Sequence, residues 1–284
     1  MVVAVLAAAH PAAQDRDALN RCLDSWHAKS CHEAAGRGFA EAQLVLGLMY
    51  RSGHHVSKDN EKAARWLTRA GERGNTRAQV TLGLMFRLGD GVVQDGAQAV
   101  SWFRRAADQG SPLAQLSLGL IYSEGTVVPE DRVEALFWLN RAAERGVLKA
   151  QLALGLIHSD GTARDEAKSA EWYRRAAAQG DPKAEYILGV VYDEGRGVLQ
   201  DAEKAAFWFG RAAKRGLAIA QFRLGAMFDN GRGVGRDTKM AIEWYKKAAR
   251  QGHPEAQWEL DTRQGDGSGS PSSGSPEGKR APQE

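Results

Sequence analysis

Two cysteines and two histidines near the amino terminus have the spacing closest to a metal site. His27 and Cys31 are four positions apart, as two ligands on one helix face are, and Cys22 or His32 would add a third ligand. No closed set of four ligands accompanies them at a spacing typical of structural zinc. We therefore expect these side chains to pack in an N-terminal cap, and we predict no metal site.

The same segment, Asp17 to Gly38, is interpreted as one helix that carries both cysteines. Residues nine positions apart on a helix are separated by about 13 Å along its axis. A disulfide requires Cα atoms within about 7 Å of each other. This interpretation predicts that Cys22 and Cys31 are free thiols.

Two glycine-flanked arginines and a histidine pair are the remaining candidates for chemistry. Gly195-Arg196-Gly197 and Gly231-Arg232-Gly233 superficially resemble phosphate-binding loops, but the sequence predicts no strand before them and they lack the lysine of a Walker loop. His54-His55 lies near Asp59 in a similar turn, without a nucleophile in a repeated or buried context. We interpret all three as turns between helices, and we predict no catalytic residue and no cofactor.

Charge and hydropathy narrow the possible partners. A net charge of +3, with 26% charged residues, gives no basis for a nucleic-acid partner. No run of about 20 apolar residues predicts a transmembrane segment.

Residues 1–14 are apolar and alanine-rich before a turn-like end, which leaves two interpretations. They are either the end of a signal peptide of a periplasmic or secreted bacterial protein, or an ordinary extension of a cytoplasmic one.

Most of the chain is a repeated element that must position every side chain named above. An Ala-Gln pair, Ala-Glu in one copy, recurs at a step of 36 residues, as from Ala42 to Ala78, shortened to 34 between Ala150 and Ala184. A tryptophan keeps the same step at Trp66, Trp102, Trp138, Trp172, Trp208 and Trp244. A fixed period of this size predicts a solenoid, in which each unit packs on its neighbours.

Each unit is predicted to contain two helices. The first ends at a glycine that suits a left-handed C-cap, as at Gly125, and the second begins after an aspartate N-cap, as at Asp131. A second glycine inside the first helix, as at Gly119, weakens the helix by about 1 kcal/mol. Its repetition predicts a close approach by the partner helix, with the partner's backbone passing over it. The tryptophan is expected to fill the space between units.

These motifs resemble the Sel-1-like repeat family, relatives of the tetratricopeptide repeats. The resemblance covers about Phe39 to Leu260, and implies an all-α, right-handed α/α superhelical solenoid used as an adaptor or scaffold for protein complexes. Two features depart from the family pattern. The fourth unit is two residues short in its inter-helix loop, and the loop's second glycine is replaced at three positions, which are His55, Val127 and Ala163.

The expected organisation has four parts. Residues 1–16 form the N-terminal extension or signal-peptide remnant, and 17–38 form a capping helix. Residues 39–262 form six complete repeats and a C-terminal capping helix. The segment 263–284 is rich in glycine, serine and proline and is predicted to be disordered.

Two further regularities follow the repeat. A basic residue stands three positions after each tryptophan, as Arg105 does after Trp102. We interpret it as a helix C-terminal cation whose stem covers its neighbours, in preference to a stripe that binds anions. Each second helix is predicted to end at a glycine, from Gly74 to Gly252. The residue before this glycine alternates between arginine and glutamine, from Arg73 to Gln251, which suggests that the array grew by duplication of pairs of units.

Binding is expected in a concave groove lined by the first helix of each repeat. One position, three after the alanine, varies among repeats as though it were free of packing constraints: Val45, Thr81, Ser117, Ala153, Ile187 and Arg223. A second, near the end of the helix, changes sign along the array, from Arg51 and Arg87 to Asp193 and Asp229. Such a gradient would orient an extended peptide by charge. Solvated helix ends are an equal alternative.

The functional prediction is a non-catalytic scaffold that binds a protein or peptide, and we expect a monomer, with the oligomeric state left open. The alternative is a cell-envelope ligand-binding protein or hydrolase-type enzyme. Some cysteine-rich members of the family that the chain resembles have been linked to β-lactam binding. Their repeated cysteine pairs are absent from this sequence, which argues against the alternative.

Overall fold

The computed structural model describes residues 11–160 and 164–265, and this part of the chain is entirely helical. Fifteen helices lie within it. The first nine are α1 (Pro11–Ser25), α2 (Ala28–Gly36), α3 (Ala40–Ser52), α4 (Asn60–Glu72), α5 (Thr76–Leu88), α6 (Gly96–Asp108), α7 (Pro112–Glu124), α8 (Arg132–Glu144) and α9 (Leu148–Ser159). The others are α10 (Glu166–Ala178), α11 (Pro182–Glu194), α12 (Ala202–Lys214), α13 (Ala218–Asn230), α14 (Thr238–Ala249) and α15 (Pro254–Gly265).

The helices belong to two compact units, residues 1–154 and 155–284, which divide within α9. In the first unit each helix from α1 to α8 packs against the next, and in the second unit the same holds from α10 to α15. Six successive pairs, from α3–α4 to α13–α14, form the repeats. The predicted all-α solenoid of helix pairs is confirmed. Within the described residues, no helix is both long and apolar enough to cross a membrane.

Side-chain and glycine caps set the helix ends as predicted. Asp59 accepts a hydrogen bond from the Lys62 amide at the start of α4, and five further aspartates cap the later second helices, at Asp95, Asp131, Asp165, Asp201 and Asp237. That hydrogen bond, together with the Lys62 ammonium, holds the pKa of Asp59 below its ordinary value. The first helices end at left-handed glycines, for example Gly125 with φ 63°. Gly161 lies outside the described residues.

The glycine inside each first helix receives a large side chain. A Cβ at Gly83 would lie 2.8 Å from the Phe103 ring, and one at Gly119 would lie 2.5 Å from Leu139 Cγ. The close approach is therefore confirmed, but the nearest atoms belong to a side chain and not to the backbone that we expected. In every repeat this side chain follows the tryptophan: Leu67, Phe103, Leu139, Tyr173, Phe209 and Tyr245.

The tryptophans pack between repeats, as predicted. Trp102 of α6 belongs to a buried cluster with Leu67 and Ala70 of the preceding repeat. Trp244 of α14 contacts the cluster that contains Phe209 of α12. The second and sixth repeats therefore each complete the core of the repeat before them, as nearest-neighbour stacking requires.

The N-terminal cap differs from the prediction in its helices and in its cysteines. The segment is two helices, α1 and α2, because the chain turns at Trp26, which has a positive φ of 51°. The turn brings Cys22 and Cys31 to a Cα separation of 4.6 Å, and a disulfide joins them. The prediction of two free thiols is wrong, because it assumed one continuous helix. α1 also begins at Pro11, within the predicted extension, and α15 continues to Gly265.

Candidate functional site

A groove of about 370 Å³ lies along the first helices of three successive repeats, α3, α5 and α7. Leu48 and Leu84 line it, and each directly follows the inner glycine of its helix. Leu113, near the start of α7, lines its other side with 54% of its surface exposed. We call this the α3–α5–α7 groove. It is an apolar channel with a few polar groups on its walls, namely Thr76, Arg77, Thr81 and Ser111.

The predicted variable positions are only partly brought together by the structure. Thr81 lines the α3–α5–α7 groove, and Ile187 lines a separate cavity of about 150 Å³ in the second unit. Val45 is buried against the N-terminal cap. Ser117 and Ala153 are half-buried, and Arg223 is exposed.

Most of the predicted charge gradient is occupied by ion pairs between neighbouring repeats. Arg51 lies 3.6 Å from Asp90 of the next repeat. In the second unit the signs are reversed, with Asp193 lying 3.0 Å from Arg232. The sign change along the first helices is thus matched by an opposite change in the loops that face them. Because these side chains already form ion pairs within the molecule, they are less available to bind a charged peptide.

The other two charged positions of that series are Asp229 and Arg87. Asp229 forms a 2.5 Å ion pair with Arg263 of α15, and this hydrogen-bonded guanidinium lowers the pKa of Asp229 below its ordinary value. Arg87 has its Nε buried without a hydrogen-bond partner among the described residues.

The basic residue after each tryptophan lies over that tryptophan's ring. The Arg105 guanidinium is 4.6 Å from the Trp102 ring centroid, and the Lys247 ammonium is 3.9 Å from that of Trp244. The same contact recurs at the other four repeats. Cation–π contact gives these residues a structural role, which supports our interpretation over an anion-binding stripe.

A row of buried glutamines connects the repeats, and sequence reasoning missed its role. The Gln79 carboxamide donates to the Gly71 carbonyl, eight residues earlier in the preceding repeat. Four other repeats form the same bond, from Gln43, Gln115, Gln151 and Gln221. The recurrent Ala-Gln pair was the available signal. A repeated polar residue inside an apolar stripe indicates a buried hydrogen bond, because unpaired buried polar groups are costly.

In three repeats the residue before the glycine that follows the second helix contacts the same row. Gln109 donates to Gln79 at 2.8 Å, and Gln251 donates to Gln221 at 2.9 Å. Where the row contains Glu185 instead, Arg215 forms an ion pair with this fully buried carboxylate at 3.2 Å, and Arg211 approaches it to 2.9 Å. Arg215 therefore matches the acidic member of the row. Arg73 and Arg145 stand in repeats whose row residues are Gln43 and Gln115, so the row does not account for the alternation as a whole.

The histidines do not form a metal site within the described part of the chain. Cys22 and Cys31 are held in the disulfide, and His27 caps α2 through its ring nitrogen. His32 forms a 3.1 Å hydrogen bond with the Tyr50 hydroxyl. His54 and His55 contact each other at an exposed turn, with ring centroids 4.0 Å apart.

Comparison with known proteins gives six matches to a family model described as the Sel1 repeat. They cover residues 40–75, 76–111, 112–147, 148–181, 182–217 and 218–253. No curated protein matches the chain.

Among solved structures, a protective antigen of uropathogenic Escherichia coli is 38% identical, with a TM-score of 0.77 over 84% of this chain. The match spans 52% of the antigen, so this chain corresponds to about half of that protein's length. A Sel1 repeat protein from Oxalobacter formigenes is 34% identical, with a TM-score of 0.53, and the match covers 83% of this chain and 79% of that protein.

Proposed function

Because the chain belongs to the Sel1 repeat family, we propose that it is a non-catalytic scaffold that binds an extended segment of a protein partner in the α3–α5–α7 groove. Proteins of this family commonly act as protein-interaction scaffolds. The observation that carries the finer proposal is the groove itself. It runs across three repeats, leaves Leu113 54% exposed and leaves Leu48 and Leu84 only partly buried.

The chemistry of the groove suits a peptide better than a small substrate. Leu48, Leu84 and Leu113 offer apolar contacts, while Thr81 and Arg77 supply hydrogen-bonding groups on the walls. Helical-repeat proteins use such extended surfaces to bind chain segments. Arg51 and Asp193, two positions of the predicted charge gradient, already form ion pairs within the molecule. We therefore expect apolar contacts to dominate binding.

A non-catalytic role is supported by the use of the buried polar groups. The glutamine row donates to backbone carbonyls, and Glu185 is paired with two arginines. An active site instead brings polar groups together in a pocket around a reacting atom. These buried groups serve the contacts between helices.

An exported location is supported by the disulfide in the cap. Disulfides persist in oxidising compartments such as the periplasm and are rare in the cytosol. Cys22 and Cys31 are both fully buried and joined. We propose on this basis that the chain functions outside the cytosol.

The test is a selection of displayed random peptides on the wild-type protein, followed by affinity measurements. The double variant Thr81→Glu, Leu113→Glu places two carboxylates in the groove, and both residues are at least partly exposed in the wild type. We expect at least a tenfold loss of affinity for the selected peptides. Leu199→Glu, at a loop residue that is 91% exposed in the second unit, is the control. Equal binding by the groove variant and the wild type, or a selection without binders, would contradict the proposal.

A further inference from the structure

The second unit contains an apolar pocket between α12, α13 and α14, on elements that the α3–α5–α7 groove does not use. Its volume is about 480 Å³, and its walls include Phe207, Leu224, Phe228, Met240 and Trp244. This volume lies within the usual range for binding pockets. We call it the α12–α14 pocket.

The pocket is open because α12 has a glycine that packing does not require. A Cβ at Gly210 would meet no atom nearer than Leu224 Cδ2, at 4.0 Å. Gly83, by contrast, is needed to admit Phe103. Every other repeat has a larger residue at the position of Gly210: Thr68, Arg104, Asn140, Arg174 and Lys246. Since glycine is unfavourable inside a helix, its presence here is best explained by the space that it leaves.

Two apolar replacements surround the same space. Met240 stands four residues before Trp244, where the other repeats have Lys62, Gln98, Glu134, Lys168 and Lys204. Phe207 directly precedes Trp208 and is 57% exposed, at a position that is polar in four of the six repeats. Exposed apolar patches of this kind mark interaction sites. Three neighbouring positions therefore depart from the repeat pattern in the direction that favours an apolar ligand.

The tryptophan in the wall has a donor without an acceptor. Trp244 is 7% exposed, and its indole Nε1 has no hydrogen-bond partner among the described residues. In the third repeat the corresponding Trp138 donates to Glu134 at 2.7 Å. Met240 supplies no acceptor at the same position of the sixth repeat. The hydrogen bond of the third repeat therefore has no counterpart here, and Met240 adds apolar surface to the pocket.

The charges at the rim indicate the nature of the ligand. Glu203 stands at one end of the pocket, and Arg211 and Lys214 stand at the other. Arg211 also pairs with Glu185, whereas Lys214 is exposed at the end of α12. The cationic end complements a carboxylate placed next to an apolar anchor.

We infer that the α12–α14 pocket binds a protein segment through one large apolar side chain, with a neighbouring acidic residue facing Lys214. This is a second interaction site, independent of the α3–α5–α7 groove. Its failure would leave the proposed function standing, because the two sites are in different units and are tested with different variants.

The test uses short fluorescent peptides that carry one Phe, Leu or Trp between glutamates, with the same peptides containing lysine in place of glutamate for comparison. We expect the acidic set to bind the full chain more tightly. Gly210→Arg fills the pocket with a residue found at this position in two other repeats and should weaken binding at least tenfold. Lys214→Glu should reverse the preference between the two peptide sets. Thr68→Arg, at the equivalent position of the first repeat, is the matched control and should bind as the wild type does.

Three results would overturn the inference. Neither peptide set binds, or Gly210→Arg binds the acidic set as well as the wild type does. The third is self-association of the wild type, measured by sedimentation, that Gly210→Arg abolishes, since the occupant would then be a second copy of the chain. Thermal unfolding of Gly210→Arg should occur at or above the wild-type midpoint, because arginine favours helix over glycine. A lost interaction can therefore be separated from a lost fold.

Discussion

At the scale of single residues, two glycines inside helices have opposite effects on stability. A Cβ at Gly83 would lie 2.8 Å from the buried ring of Phe103, whereas one at Gly210 has open space. We predict that Gly83→Ala destabilises the protein by about 1–3 kcal/mol through overpacking. Gly210→Ala should stabilise it by up to about 1 kcal/mol, because alanine favours the helix. Urea unfolding of the two variants measures the difference, and shifts of the same sign would contradict the packing described.

Some features of single residues in the repeat could be predicted from the sequence, and others could not. The aspartate caps, the left-handed glycines and the close approach at Gly83 were predictable, because each depends on local backbone geometry or on a repeated exception to helix propensity. The ion pair of Arg51 with Asp90 was not predictable. Its residues are 39 positions apart (90 − 51), and nothing local to either one specifies the other. The sequence therefore shows the charge gradient but does not show which residues pair with it.

At the scale of elements, a loop in one repeat packs on the start of the second helix in the repeat before it. Gly91 lies so close to Asn60 that an added Cβ would be 2.3 Å from the Asn60 backbone. In the next repeat the loop glycine is replaced by Val127. Val127 packs on Gly96, which begins α6 as Asn60 begins α4. One partner in each of these two contacts is a glycine.

This exchange predicts an energetic coupling. Gly96→Ala should destabilise the protein by about 1–3 kcal/mol, because its Cβ would meet the Val127 carbonyl. Adding Val127→Gly should recover part of the loss by letting the loop shift. A double-mutant cycle of thermal unfolding measures the coupling. Strictly additive effects would show that the two positions are independent.

The Cys22–Cys31 disulfide joins α1 to α2 within the N-terminal cap. Closing a short loop of this kind is expected to contribute about 2–3 kcal/mol. We predict that Cys22→Ser, Cys31→Ser increases amide exchange in α1 and α2 and leaves α11 to α14 unchanged. A reducing agent should reproduce this in the wild type and have no effect on the variant. Unchanged exchange in α1 and α2 would contradict a stabilising role.

The turn at Trp26 limited what the sequence could reveal about this cap. The segment has helical spacing on both sides, and nothing in the local pattern shows that α2 folds back on α1. The positive φ of Trp26 is unusual for a bulky residue. It is supported by packing of the ring against the buried cluster that contains Cys22, Cys31 and Leu46. This is a tertiary effect that the one-helix interpretation could not include.

Docking of the last helix, α15, should depend on pH. Arg263 lowers the pKa of Asp229 below its ordinary value of 3.8. The ion pair therefore stabilises the fold fully above pH 3.8 and loses this contribution as the pH falls through the lower, folded-state pKa. We predict that Arg263→Gln makes exchange in α15 faster at neutral pH and removes this acid-dependent loosening. If the variant and the wild type loosened equally below pH 4, the ion pair would not be the cause.

At the scale of the whole molecule, contacts run from each helix to the next within each unit. Stability in such arrays is a sum of repeats and their nearest-neighbour contacts. We predict that Gly83→Ala increases amide exchange in α4 to α7, and that α12 to α15 keep their wild-type protection. Exchange measured by mass spectrometry, peptide by peptide, tests this. A uniform increase along the chain would indicate a single cooperative unit instead.

The row of glutamines also bears on how a gene for such a chain can change. In five repeats the glutamine bonds to a backbone carbonyl, which every amino acid possesses; four of these carbonyls lie in the preceding repeat, and that of Ala35 lies in the N-terminal cap. A duplication or deletion of one whole repeat by recombination therefore creates a junction whose donor still finds an acceptor. Glu185 is the exception, because a carboxylate has no proton to donate, and its arginine partners lie in the same repeat. The number of repeats can therefore change during evolution even when the side chains around the glutamine row differ from one repeat to the next.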